Sequence, residues 1–162
     1  MIMKRIPLVL LFLSVLMQSC NFSAGVKKDL ANGLTYSYNG FTVEEAFLVG
    51  PDNTTLPSNK VPLNSQVAIV VQGIGNYVLK DDKAFPGLSL SVTNSQKSAV
   101  IDEADLFAET EGYTATDASI LRGTITVADP MKAGETYHIK MRIWDKNNVD
   151  NEIISEVDID VQ

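Results

Sequence analysis

Few side chains in this sequence are of the types that carry out catalysis. Cys20 is the only cysteine and directly follows an apolar run, and His138 is the only histidine. Nucleophilic catalysis needs an activated Ser, Cys or Thr with a base in reach, and no G-x-S-x-G turn is present. A lone histidine cannot build a zinc site of the usual nitrogen and sulfur ligands. Since no glycine-rich phosphate loop occurs either, we expect neither catalytic activity nor a cofactor.

Oxygen-bearing side chains are concentrated in the stretch DKNNVD at 145–150. Carboxylate and amide oxygens in a flexible loop suit Ca²⁺, which makes Asp145, Asn147 and Asp150 calcium candidates. The order of an EF-hand fails, because Val149 stands at the fifth position and no glycine at the sixth. The alternative is a solvated hairpin loop rich in turn-forming residues. The acidic stretch 102–111 is open to the same two interpretations.

The stretch TYHIKMRIW at 136–144 provides the best candidate for a binding surface. Its alternation places His138, Arg142 and Trp144 on one outward face of a strand. A tryptophan beside an arginine has the composition of an interface hot spot, and the indole could equally stack on a sugar. The alternative is a tryptophan packed over a neighbouring hairpin or loop, with Arg142 resting on its ring.

The elements that must position these residues are predicted to be strands. From Leu34 onward, short apolar runs are separated by Gly, Pro, Asn and Asp, a rhythm typical of an all-β sandwich or barrel. The stretch LTYSY at 34–38 is either a short first strand or part of the lead-in. We predict seven strands, at 41–49, 66–72, 87–93, 98–101, 119–127, 136–144 and 151–161.

The last two predicted strands can be registered against each other. Matching inward to inward residues allows Tyr137 to pair with Ile159, which sets Lys140 opposite Glu156 and His138 opposite Asp158. Cross-strand pairs of opposite charge contribute roughly 0.2–1 kcal/mol each. A register shifted by two residues keeps the same side chains inward and remains an alternative, whereas a register shifted by one would bury the acidic side chains.

The stretch DPMKAGETYHI at 129–139 resembles the corner before strand F of an immunoglobulin-like domain. The resemblance implies that Tyr137 bonds back to upstream backbone, and that Ile139 takes the core position where antibody domains have a cysteine. Trp144 departs from the pattern, because it ends the F strand instead of lying on strand C. The fold class implied for residues 34–162 is an all-β, immunoglobulin-like antiparallel β-sandwich of about seven strands. The stretches VPLNSQVAIV, FPGLSLSVT and GETYHIKMRIWDKN are also similar to a class of single-domain bacterial lipoproteins.

The first twenty residues have the layout of an export signal. Lys4 and Arg5 precede an apolar stretch that is too short to span a bilayer, which needs about 20 apolar residues. VLMQSC then resembles the lipobox of bacterial lipoproteins. This implies a signal peptide at 1–19, a lipid (palmitate-type acyl) anchor on Cys20 and a flexible tether over 20–33. The alternative is an ordinary secretory signal with a spare thiol, which an oxidising compartment disfavours.

The predicted location is the cell envelope. Asn21 stands where an aspartate would resemble an inner-membrane retention signal, which favours the outer membrane, and NFSAGVKK lacks the acids of surface-export signals, which favours the periplasmic side. Loss of 1–19 removes two of the 13 basic residues and none of the 20 acidic ones, so the formal charge becomes −9. Nucleic acid, which requires basic clusters, is therefore excluded as a partner.

The sequence leads to one preferred function and two alternatives. We expect a non-catalytic, lipid-anchored envelope protein that acts as an interaction or accessory module, with another envelope protein as partner. The first alternative is a carbohydrate-binding module that uses Trp144 on an envelope glycan. The second is an acid-based hydrolase that uses the carboxylates of 102–111.

Overall fold

A computed structural model describes residues 23–162, so the predicted signal peptide and Cys20 lie outside the described residues. The described part contains ten strands and one short 3-10 turn at Asp117–Ser119. The strands are β1 (Ala24–Lys28), β2 (Thr35–Asn39), β3 (Glu45–Val49), β4 (Lys60–Val61), β5 (Ser65–Gln72), β6 (Pro86–Thr93), β7 (Ala99–Glu103), β8 (Ile120–Val127), β9 (Thr136–Asp145) and β10 (Asn148–Val161).

These strands form two sheets. The larger sheet has the order β1-β2-β10-β9-β6-β7, with β4 beside the end of β10, and the smaller has the order β3-β5-β8. Every pairing is antiparallel except that of β4 with β10. The predicted all-β antiparallel sandwich is therefore confirmed.

The seven predicted strands correspond to β3, β5, β6, β7, β8, β9 and β10. Their spatial order matches strands A-B-E on one sheet and G-F-C-C′ on the other in immunoglobulin-like sandwiches. The count is ten and not seven, because β4 is added beside β10 and the β1–β2 hairpin extends the larger sheet beyond it. β1 lies within 20–33, the segment for which we predict a flexible tether, and residues 24–28 pair there with β2.

The core lies between the two sheets and follows the alternation of the strands. On β9 every second side chain is buried, from Tyr137 to Ile143, while Lys140 is exposed. β10 pairs Tyr137 with Ile159 and Lys140 with Glu156, which confirms the predicted register and excludes a slip of two residues. One-sided burial of this kind holds the register, because a slip of one residue would turn every apolar side chain outward.

The corner before β9 has the hydrogen bond implied by the immunoglobulin-like resemblance. The hydroxyl of Tyr137 accepts a hydrogen bond from the backbone N–H of Lys132 at 3.0 Å and donates one to the carboxylate of Glu135 at 2.6 Å. Both Tyr137 and Ile139 are buried. The corner therefore anchors the start of β9, the strand that carries the candidate binding residues.

In the described part of the chain, no helix has the length and apolar character needed to cross a bilayer.

Candidate functional site

The candidate binding residues form a strip along the middle of the larger sheet, on the face that points away from the core. We call this set the outer strip: the alternate β9 residues His138, Lys140, Arg142 and Trp144. Each basic member contacts an acid of β10: His138–Asp158 at 2.8 Å, Lys140–Glu156 at 3.2 Å and Arg142–Glu152 at 2.9 Å. Exposed pairs of this kind contribute less than about 1 kcal/mol each, so their main effect is to hold the side chains in place.

Trp144 is half-buried and lies opposite Gly87 of β6. A methyl group on Gly87 would collide with the indole, so the ring sits directly over the glycine backbone. The guanidinium of Arg142 lies 5.0 Å from the ring centroid, within the range of a cation–π contact. Trp144 thus packs on a neighbouring strand with Arg142 beside its ring, and keeps only part of the indole exposed.

His138 lies at the other end of the outer strip. Trp144 lies six positions further along the extended strand, a distance of about 20 Å. His138 borders an open depression of about 570 Å³, whose other lining residues are Thr93, Asn94, Ser95, Lys97, Thr136 and Asp158. The structure therefore places the three predicted residues on one face without bringing them into one pocket.

Asp145, the first calcium candidate, is fully buried. Its carboxylate accepts hydrogen bonds from the backbone N–H groups of Val78 at 2.7 Å and Asn147 at 2.9 Å. Asn147 in turn donates from its side chain to the carbonyl of Val78 at 2.7 Å, while the side chain of Asp150 is exposed. Two of the three candidates thus tie the β5–β6 loop to the β9–β10 hairpin.

The negative charge of Asp145 also acts on Tyr77. Burial raises the pKa of the Tyr77 hydroxyl, and the nearby carboxylate of Asp145 raises it further. The hydroxyl stays protonated and donates to the carbonyl of Ala118 at 3.1 Å. Sequence reasoning missed this role of Asp145, although a signal existed: it continues the inward series from Tyr137 to Ile143.

A second connection to the β9–β10 hairpin comes from the acidic stretch 102–111. Asp105 lies 2.8 Å from Lys146 and accepts hydrogen bonds from the N–H groups of Phe107 and Leu88. Burial alone would raise the pKa of Asp105, but the hydrogen bond from Lys146 and those from the two amides outweigh it and hold the pKa below its usual value. Asp105 therefore fastens the segment after β7 to the same hairpin.

These ties gather three segments at one end of the sandwich. We call this the loop end: residues 73–85, 104–120 and 145–151. It corresponds to the end at which the B–C and F–G loops of antibody variable domains form part of the antigen-binding surface. Within residues 23–162, five of the seven exposed large hydrophobic side chains belong to it: Val78, Leu79, Leu106, Ile120 and Val149.

Comparison with known proteins adds little to this geometry. No protein-family model and no curated protein matches the sequence. Among solved structures, the chain is similar to superoxide reductase (neelaredoxin) from Ignicoccus hospitalis and to a substituted variant of that same protein. For each, the TM-score is 0.37, the identity is 10%, and the match covers 74% of this chain and 82% of the other.

Both neighbours are named as enzymes. The expectation that this protein is not an enzyme is therefore corrected, and we do not conclude that it lacks catalytic activity. A TM-score of 0.37 equally transfers no activity, substrate or metal to this chain. Over residues 23–162, no three His, Cys, Asp or Glu side chains are grouped so that they could hold a metal ion.

Proposed function

We propose that this protein is a lipid-anchored envelope protein that acts as an interaction or accessory module and contacts a partner protein through its outer strip. The observation that carries the proposal is Trp144 seated on Gly87 with the guanidinium of Arg142 beside it. Tryptophan and arginine are the residues most enriched at the energetic centres of protein interfaces. Here they stand together on an exposed sheet face.

The outer strip is also preorganised. Its three basic side chains are each held by an acid on β10, and Trp144 is held by the neighbouring strand. Ordering a flexible side chain at an interface costs about 0.5–1.5 kcal/mol, and a surface already held in place avoids most of that cost. Such a face is suited to docking against a partner with little rearrangement.

A site-specific cross-linking experiment tests the partner surface. A photoreactive amino acid replaces Ser89, which lies opposite Arg142 on β6, or Thr124 on the outer face of the smaller sheet. We expect a defined adduct in cells from position 89 only, lost in Arg142→Ala and retained in the matched control Arg122→Ala. Equal adducts from both faces would contradict the assignment to the outer strip.

The anchor is tested separately. Labelled palmitate should enter the full-length protein and not Cys20→Ala, and the label should fractionate with the outer membrane. The lipobox-like VLMQSC supports this part of the proposal, and two or more acyl chains hold a protein stably to a bilayer. Incorporation into both proteins would contradict lipidation at Cys20.

A carbohydrate ligand is the second candidate, and one observation favours it. The depression beside His138 is lined mainly by hydroxyl, amide and carboxylate side chains, which are the groups that hydrogen-bond sugars. A glycan array would show binding that is lost in His138→Ala and kept in Trp144→Ala. Loss in Trp144→Ala instead would move the sugar to the other end of the outer strip.

A further inference from the structure

The chain enters the fold at the loop end. The carbonyl of Ser23 accepts a hydrogen bond from the N–H of Gly40 at 2.8 Å. The carbonyl of Gly40 accepts one from the side chain of Asn76 at 3.3 Å, and the carbonyl of Asn76 accepts one from the side chain of Asn151 at 3.0 Å. Residue 23 is therefore connected through three hydrogen bonds to the loop end, to which Asn76 and Asn151 belong.

The distance from this entry point to Cys20 is short. Cys20 lies three positions before Ser23, and an extended chain spans at most about 3.6 Å per residue, which limits the reach to about 11 Å. The sandwich is much longer, because the 14 residues of β10 run along it and span about 45 Å. An acylated Cys20 would keep the loop end nearer to the bilayer than the opposite end.

The loop end also carries most of the exposed large hydrophobic side chains of residues 23–162. Val78 and Leu79 are each 46% exposed and Val149 is 63% exposed. The two exposed large hydrophobics elsewhere in 23–162 are Val26 at 73% and Leu30 at 91%, and they lie on the β1–β2 hairpin. The ties from Asp145 and Asp105 hold the segments that bear these side chains. Clustered exposed apolar side chains mark sites of interaction with a protein or a membrane.

The charges of the loop end indicate which lipid it tolerates. Residues 73–85 contain two lysines and two aspartates, and residues 104–120 contain four acids and no base. Anionic lipids attract basic segments and repel this composition. A zwitterionic surface adds no such repulsion.

We infer that the loop end is a bilayer-contacting surface, with Val78, Leu79 and Val149 in the interface of a zwitterionic phospholipid membrane. This inference rests on the proposed lipidation of Cys20. The protein then stands on its loop end, and the depression beside His138 faces away from the membrane.

Site-specific fluorescence on the lipidated mature protein tests this orientation. With Cys20 acylated, an added cysteine is the only free thiol, so the environment-sensitive dye NBD can be placed by Val149→Cys at the loop end or by Gln96→Cys in the β6–β7 turn at the opposite end. In vesicles of phosphatidylethanolamine and phosphatidylcholine, we expect NBD at position 149 to shift to the blue and to be quenched at least twofold by spin-labelled lipid. NBD at position 96 should respond like the dye in water.

Removal of the apolar side chains supplies the matched control. In the Val149→Cys background, Val78→Ser combined with Leu79→Ser should reduce the lipid-dependent quenching at least twofold. Leu30→Ser, in the β1–β2 turn at the opposite end of the sandwich, should leave the quenching unchanged. Replacing part of the lipid by anionic phosphatidylglycerol should also reduce it. The inference would be overturned if the double substitution left the quenching unchanged, or if anionic lipid increased the quenching.

The remaining outcomes separate this inference from the proposed anchor. Failure to incorporate palmitate and to float with vesicles would overturn both. If the protein floats with vesicles but NBD at position 149 remains exposed to water, the proposed orientation is wrong and the proposed lipid anchor is still supported. If NBD at position 149 leaves water only at high protein density in the vesicles, the loop end contacts a second copy of the protein. If it leaves water only in native membranes, the loop end contacts a protein partner. Either result overturns the inference.

Discussion

At the scale of single residues, Asp145 holds two segments of the loop end together. Its carboxylate is fully buried and accepts two backbone N–H groups, those of Val78 and Asn147. Hydrogen bonds to a charged acceptor are stronger than those between neutral groups. One residue thereby fixes the positions of two loops that are far apart in sequence.

Replacement of Asp145 should be costly. Asp145→Ala leaves two partly buried amide donors, those of Val78 and Asn147, without their acceptor, and an unsatisfied buried group costs about 1–3 kcal/mol. We expect the free energy of unfolding, measured by urea denaturation, to fall by about 2–4 kcal/mol. The neighbouring Asp150→Ala, whose side chain is exposed, should change it by less than about 0.5 kcal/mol. Equal effects of the two substitutions would show that Asp145 has no special structural role.

Two buried tyrosines provide a second contrast between residues. The hydroxyl of Tyr137 has two hydrogen-bond partners, whereas that of Tyr36 is buried without one among the described residues. Removing a hydroxyl with partners leaves those partners unsatisfied, and removing one without partners relieves its desolvation. Tyr137→Phe should lower the free energy of unfolding by about 1–2 kcal/mol, which a lower thermal midpoint would report. Tyr36→Phe should leave the free energy of unfolding unchanged or raise it. The reverse order would contradict the corner hydrogen bond.

At the scale of elements, the contact between β9 and β6 depends on a glycine. Trp144 can lie flat on the larger sheet because its neighbour across the strand, Gly87, has no side chain. Aromatic side chains often cover a cross-strand glycine in this way. The outer strip therefore has its shape from two strands and not from β9 alone.

A methyl group at position 87 should displace the indole. Gly87→Ala forces Trp144 off the sheet, and because Trp144 is the only tryptophan, its fluorescence reports the change directly. We expect a red-shifted emission, stronger quenching by acrylamide and a loss of about 1–2 kcal/mol of stability. Ser89→Ala, two residues along on the same face, should leave the emission unchanged. An unshifted emission in Gly87→Ala would refute the packed arrangement of Trp144.

At the scale of the whole molecule, the pair Asp105–Lys146 links the segment after β7 to the β9–β10 hairpin and makes the loop end sensitive to acid. The pKa of Asp105 in the folded protein is held below its usual range, so ionised Asp105 favours the folded state. This stabilisation is present at neutral pH. It is lost as the pH falls through the folded pKa, below about 4.

A pH titration of stability isolates this contribution. The difference in unfolding free energy between the wild type and Asp105→Asn should be largest near pH 7 and should shrink as the pH is lowered below about 4. The exposed Asp102→Asn serves as the control, and its difference from the wild type should stay near zero throughout. A difference for Asp105→Asn that is independent of pH would show that the pair is not linked to folding.

The sequence by itself determined seven of the ten strands described between residues 23 and 162, the buried faces of β9 and β10, and their mutual register to within a slip of two residues. These properties are local: alternation along one strand decides its faces, and burial of one face leaves few registers. The outward placement of His138, Arg142 and Trp144 follows from the same alternation.

Only the tertiary structure decided which segments meet. Val78 and Asp145 are 67 positions apart, and nothing in the local pattern of either places the amide of one on the carboxylate of the other. Gly87 and Trp144 meet because β6 and β9 are neighbours, and Ser23 reaches the loop end because the β1–β2 hairpin is added beside β10. Contacts of this kind depend on how the strands are ordered in the two sheets, which alternation along any single strand does not specify.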